Sequence, residues 1–123
     1  MSFYIYPEAA YDQWAVLECW PAWPYEDQAA EVSMLMLLID HPRRVYNPEN
    51  ASLFVVPVLP YTSYLAGDCM GDSHEGRMNR ASVALARSPW FAQSQGHDHV
   101  LVCNTFRVGA ALRAFKARAP AQR

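Results

Sequence analysis

Three consecutive ionisable residues, His97, Asp98 and His99, most directly invite a chemical reading. On a strand, side chains two apart face the same side, so His97 and His99 would project together with Asp98 opposing them. Two imidazoles so placed can bind a metal if a third ligand, such as His74 or Asp72, comes near. The spacing implies no third ligand, so no metal site is expected. An acid–base role is the other chemical reading, because histidine titrates near neutrality. A second candidate is Pro60-Tyr61-Thr62-Ser63-Tyr64. Aromatic faces suit the C–H faces of a pyranose, and hydroxyls share hydrogen bonds with its ring substituents. Tyr61, Thr62, Ser63 and Tyr64 are therefore the candidate glycan-acceptor contacts, against ordinary loop packing.

The element that must position both groups is Leu53-Phe-Val-Val56. It is a short apolar run, rich in β-branched residues, entered through the turn signal Asn47-Pro48 and closed by Pro57. Such a run reads as a strand buried on both faces, and Pro57 cannot continue a ladder. Phe3-Tyr-Ile-Tyr6 reads as an earlier strand stopped by Pro7, and His99-Val-Leu-Val-Cys103 as a later one. Helical periodicity runs from Asp27, with Ala30, Met34, Leu37 and Leu38 at helical spacing and Val32, Leu35 and Met36 widening the apolar face, until Asp40-His41-Pro42 ends it. Arg43-Arg44-Val-Tyr46 reads as a connector or edge strand. A second helix spans 77–87 and ends at Ser88-Pro89, and a last, basic one spans 108–118. The aromatic, Pro-rich stretch around Pro21 and Pro24 reads as an irregular packed loop, and 58–76 as a long one.

Strands alternating with helices predict a single α/β domain over 1–123, Rossmann-like, with a mostly parallel sheet and helices on both faces. Ligands of such sheets bind beyond the carboxyl ends of the strands. Residues 7–11, 57–64 and 104–107 would then share one rim.

Composition narrows the function classes. The net charge is −2, with no basic run before the C-terminus, which argues against nucleic acid or an anionic membrane as main partner. The longest apolar stretch, 34–39, is far too short to span a bilayer, and no signal peptide is visible at the N-terminus. Of the 3 cysteines, none forms a Cys-x-x-Cys pair, so a structural zinc site is not expected. Cys103 reads as a small core hydrophobe. A Cys19–Cys69 disulfide stays open, with nothing in the sequence favouring it.

Asn47-Pro-Glu-Asn-Ala-Ser-Leu-Phe-Val-Val-Pro57 resembles the Pro-Glu-Glu-Ala-Asp-Leu-Phe-Phe-Val-Pro segment of the exostosin-type glycosyltransferases, family 47. Ser88-Pro-Trp-Phe91 followed by Gly96-His-Asp-His-Val-Leu-Val102 is similar to that family's Pro-Tyr-Trp-Asn-Arg and Gly-Arg-Asp-His-x-x-Val. Phe3-Tyr-Ile-Tyr6-Pro7 is similar to its opening strand, Tyr-x-Tyr-Asp-Leu-Pro. The three occur in the family's order. His97 stands where the family usually has Arg, the Asp-Leu step before Pro7 is missing, and Asn104-Thr105 replaces the His-Asp of many plant members. The resemblance gives Asp98 and His99 a structural role, anchoring the turn into a buried strand by hydrogen bonds.

The resemblance covers most of the chain but only the N-terminal half of such an enzyme, whose GT-B fold sets two Rossmann-like halves across a cleft. It implies an inverting transfer from a nucleotide-sugar to a polysaccharide or glycoprotein glycan, in a Golgi setting. The donor is held mainly by the C-terminal half, so this chain is expected to bind no cofactor itself and to be inactive alone. No Gly-x-Gly-x-x-Gly, Walker loop or Asp-x-Asp motif is present. A C-terminal catalytic half or a second copy of the chain are the implied protein partners. The competing readings are a catalytically inactive half-fold used for binding or scaffolding, and a small metal-dependent enzyme using His74, His97 and His99.

Overall fold

The computed structural model describes residues 1–20, 26–103 and 115, with 26–29 described in their backbone only. Four parallel strands, β1 (Phe3–Ile5), β2 (Arg44–Val45), β3 (Leu53–Val55) and β4 (His99–Val100), form one sheet in the order β2-β1-β3-β4. The helices are α1 (Glu26–Ile39), α2 (Pro60–Ala66), α3 (His74–Ala86) and α4 (Pro89–Ser94). Alternation along the central strands divides the core in two. Phe3, Ile5 and Val55 pack with Val32 and Leu35 of α1 on one face. Tyr6, Phe54 and Val56 pack with Ala81 and Leu85 of α3 and Phe91 of α4 on the other. Period-two side-chain direction thus produces the helix–sheet–helix layering of a Rossmann-like α/β fold.

Register places the chemistry. Tyr4 of β1 lies opposite Phe54 of β3, and Phe54 lies opposite His99 of β4. Entry into β4 depends on a tight turn. Gln95 is left-handed (φ 56°) and Gly96 follows at φ 80°. A Cβ on Gly96 would stand 2.6 Å from the Phe91 ring, so glycine is needed there both for its backbone angle and for the ring's approach.

Several elements differ from expectation. The stretch 58–76 is not one loop, because α2 occupies its first half. Leu59 at its N-cap makes no side-chain cap. Glu31 of α1 supplies one instead, accepting from the Tyr61 and Thr62 amides at 2.8 and 3.1 Å. The next helix begins at His74 rather than Arg77, since the Ser73 hydroxyl accepts from the Gly76 amide. Ser88-Pro89 ends that helix and also starts α4, with Ser88 as cap and Pro89 in the first turn. Cys19 and Cys69 are disulfide-bonded, their Cα atoms 5.9 Å apart. The rim segment 104–107, the helix expected over 108–118 and the loop around Pro21 and Pro24 lie outside the described residues, although Phe115 packs against the α3–α4 side of the core.

Candidate functional site

Tyr6 directly follows β1 and points to the α3–α4 face. Its hydroxyl is 2.7 Å from Ser88 Oγ and 2.7 Å from His99 Nε2. His99 Nδ1 is 2.9 Å from Asp98 Oδ1, which also accepts from the Ser94 hydroxyl. An ionised carboxylate only accepts, so the His99 proton sits on Nδ1 and Nε2 accepts from Tyr6. Tyr6 in turn accepts from Ser88. The result is a hydrogen-bonded chain, Ser88–Tyr6–His99–Asp98, running in one sense from the start of α4 to the turn before β4.

Burial lowers the His99 pKa below its ordinary value, outweighing the Asp98 hydrogen bond and charge that raise it. The imidazole is therefore neutral at pH 7. Burial likewise pushes the Tyr6 phenol up to about 12. Aromatic rings hold the chain in place: Phe54 stacks with His99 at 4.9 Å and with Trp90 at 6.0 Å, and Phe91 meets His99 edge-on at 5.1 Å.

The expectation for His97, Asp98 and His99 needs correcting. His97 lies in the exposed turn before β4, so it does not project beside His99 from a common strand. β4 is 2 residues long and ends at Val100, short of the expected Cys103. Asp98 does not oppose His99 but bonds to it. Both His99 nitrogens are occupied by protein partners, which leaves the ring no free atom for a substrate.

Tyr61, Thr62, Ser63 and Tyr64 belong to α2 rather than a loop. Thr62 and Ser63 are 0% exposed, so neither can touch a sugar from solvent. Thr62 bonds Glu31, and the Ser63 hydroxyl is 2.9 Å from His74 Nδ1 and 2.6 Å from Arg77 Nε. Tyr61 and Tyr64 remain accessible, with Tyr64 edge-on to His74. Asp72 pairs with Arg80, which lowers its carboxyl pKa. Among the described residues, no three His, Cys, Asp or Glu side chains converge in an arrangement that would hold a metal.

The carboxyl end of β1 instead opens onto two recesses that share Tyr6 and Glu8. One, about 230 Å³, is lined by Tyr4, Tyr11, Arg87, Ser88 and Trp90 among others. The other, about 190 Å³, includes Asp12, Trp14, Arg44 and Pro57. The first contains members of two of the resembling segments. The expected rim segment 7–11 includes Glu8, but the sequence assigns a site role to neither Glu8 nor Trp90. The signal for Glu8 was its position two residues beyond a strand's carboxyl end. Nothing in the sequence linked Trp90 and Arg87 to it, because that contact depends on how α3 and α4 cross the sheet.

No protein-family model matches the chain, and neither a curated protein nor a solved structure is significantly similar to it.

Proposed function

We propose that this chain is the N-terminal, acceptor-side half of an exostosin-like inverting glycosyltransferase, working on a polysaccharide or glycoprotein glycan with a nucleotide-sugar donor. One observation carries the reading. The three segments that resemble the family, far apart in sequence, meet at one place: Tyr6 from the first, Phe54 from the second, and Ser88, Trp90, Asp98 and His99 from the third. The sheet order β1-β3-β4 brings the three segments side by side, and the reading rests on their sharing one hydrogen-bonded and stacked cluster there. The Cys19–Cys69 disulfide supports a Golgi setting, since such bonds persist in oxidising compartments.

An inverting transfer needs a base for the acceptor hydroxyl and stabilisation of the leaving diphosphate. His99 is committed to Tyr6 and to the half-buried Asp98, so the exposed rim carboxylates Glu8 and Asp12 are better placed for the first task. The second task falls to the donor half. A second reading, a catalytically inactive binding or scaffold module, is favoured by the exposed apolar face of α1, where Met34, Met36 and Leu37 face solvent.

The test is the native protein, captured through the 47–57 region, weighed intact and assayed for nucleoside-diphosphate release with nucleotide-sugars and glycan acceptors. A chain hundreds of residues longer than this one, with acceptor-dependent release, is the expected result. A native mass near 13.9 kDa with no release overturns the transferase reading and leaves the binding module.

A further inference from the structure

The 230 Å³ recess is built like a sugar seat. Its floor is Tyr6, Tyr11 and Ser88, all buried and already hydrogen-bonded or packed. Its walls are the half-buried rings of Tyr4 and Trp90. Both rings are held by Phe54: Tyr4 edge-on at 6.1 Å, Trp90 stacked at 6.0 Å. At the mouth stand Glu8 and Arg87, both exposed. No ion pair joins them among the described residues, so the carboxylate keeps its acceptor capacity and the guanidinium its donors.

We infer that this recess is a carbohydrate subsite that seats one neutral pyranose ring against Trp90 and Tyr4, with Glu8 and Arg87 hydrogen-bonding its hydroxyls. The inference rests on the transferase reading and names where its acceptor binds. Four properties select this ligand class. Rigid aromatic walls present flat apolar surface to the C–H face of a sugar. A carboxylate and a guanidinium supply the acceptor and donor that vicinal hydroxyls require, and their opposite charges cancel, which favours a neutral ring over an anionic one. A single guanidinium is too little to neutralise a diphosphate. The volume suits one small ring rather than the larger ligands that fill pockets of 300–1,000 Å³.

The test is saturation-transfer NMR and calorimetry on the native chain with neutral oligosaccharides, glucuronate-containing oligosaccharides and a nucleoside diphosphate as probes. Saturable binding of a neutral oligosaccharide is expected, weakened at least tenfold in Glu8→Gln and in Arg87→Gln. Both positions are exposed, so the variants fold, and Trp90→Phe provides a milder change in the wall. Binding that is unaffected by these substitutions, that is lost instead in Tyr61→Ala or Tyr64→Ala, or that occurs only with the uronate or the diphosphate overturns the subsite. So does no binding at all. The two readings fail separately. Site-dependent binding without diphosphate release removes the transferase and keeps the subsite. Release that persists unchanged in Arg87→Gln and Trp90→Phe, with oligosaccharide binding also unchanged, removes the subsite and keeps the transferase.

Discussion

A buried histidine whose two nitrogens are both engaged is a structural device with a pH signature. His99 donates to Asp98, accepts from Tyr6, and has its pKa lowered below 6.5 chiefly by burial. The unfolded chain, with an ordinary imidazole, takes up this proton before the folded one does. Stability from this group is therefore complete above about pH 6.5 and falls as the pH drops through the window below, by up to about 1.4 kcal/mol per pH unit for one proton. Urea unfolding at pH 7 and pH 5 should show the loss, and His99→Gln should flatten it while lowering stability at pH 7. An equal slope in the variant would assign the proton uptake to another group. A structural, hydrogen-bonding role for Asp98 and His99 was among the readings the sequence offered, and the bonds are there, but the Tyr6 partner was not legible. Tyr6 is 93 residues away from His99, and only the β1-β3-β4 order brings them together.

Helices read well from sequence where their signals are local and badly where a distant residue supplies the signal. The extent of α1 and its stop at Asp40-His41-Pro42 follow from local signals, but its buried face does not match the expected one: Val32 and Leu35 meet the core, while Ala30, Met34 and Leu37 are exposed. α2 had a proline in its first turn but no capping residue before it, and the carboxylate that substitutes for the cap comes from Glu31, 30 residues upstream of Tyr61. The α2–α3 connection is likewise organised by one side chain from outside it. Arg77 is 4% exposed, and its guanidinium donates to the Ser63 hydroxyl and carbonyl and to the Gly67 and Asp72 carbonyls. From sequence, a lone arginine at the start of a helix looks like solvated surface. Arg77→Met would leave several buried acceptors unpaired, and hydrogen bonds to a charged group are worth about 1.5–3 kcal/mol. Denaturant unfolding should therefore show a loss of at least about 2 kcal/mol. Arg80→Met, which removes the more exposed partner of Asp72, should cost about 1 kcal/mol or less.

At the scale of the whole molecule, the disulfide closes the largest loop a side chain bridges covalently. Cys19 follows the 3-10 segment Trp14–Glu18, and Cys69 sits in the turn after α2, 50 positions further along the sequence. The enclosed chain holds α1, β2, β3 and α2, so the bond joins the ends of the unit that builds the α1 face of the core. Two cysteines so far apart say nothing about pairing until the fold places their Cα atoms within bridging distance, which is why the sequence left this open. Loop-closure entropy for this separation corresponds to about 4 kcal/mol of stabilisation, a large share of the ~5–15 kcal/mol that separates folded from unfolded domains. Thermal unfolding with and without reductant, and of Cys19→Ser/Cys69→Ser, should show that loss. Cys103 provides the internal control. Burial first, then the Glu31 carboxylate, pushes its thiol up to about 11, so it is a poor nucleophile at neutral pH. Alkylation of the native, unreduced protein at pH 7 should then be slow and confined to Cys103, with two more sites labelled quickly only after reduction. Rapid labelling of three thiols in the unreduced protein would mean that the bond is absent and that the α1 face is held by packing alone.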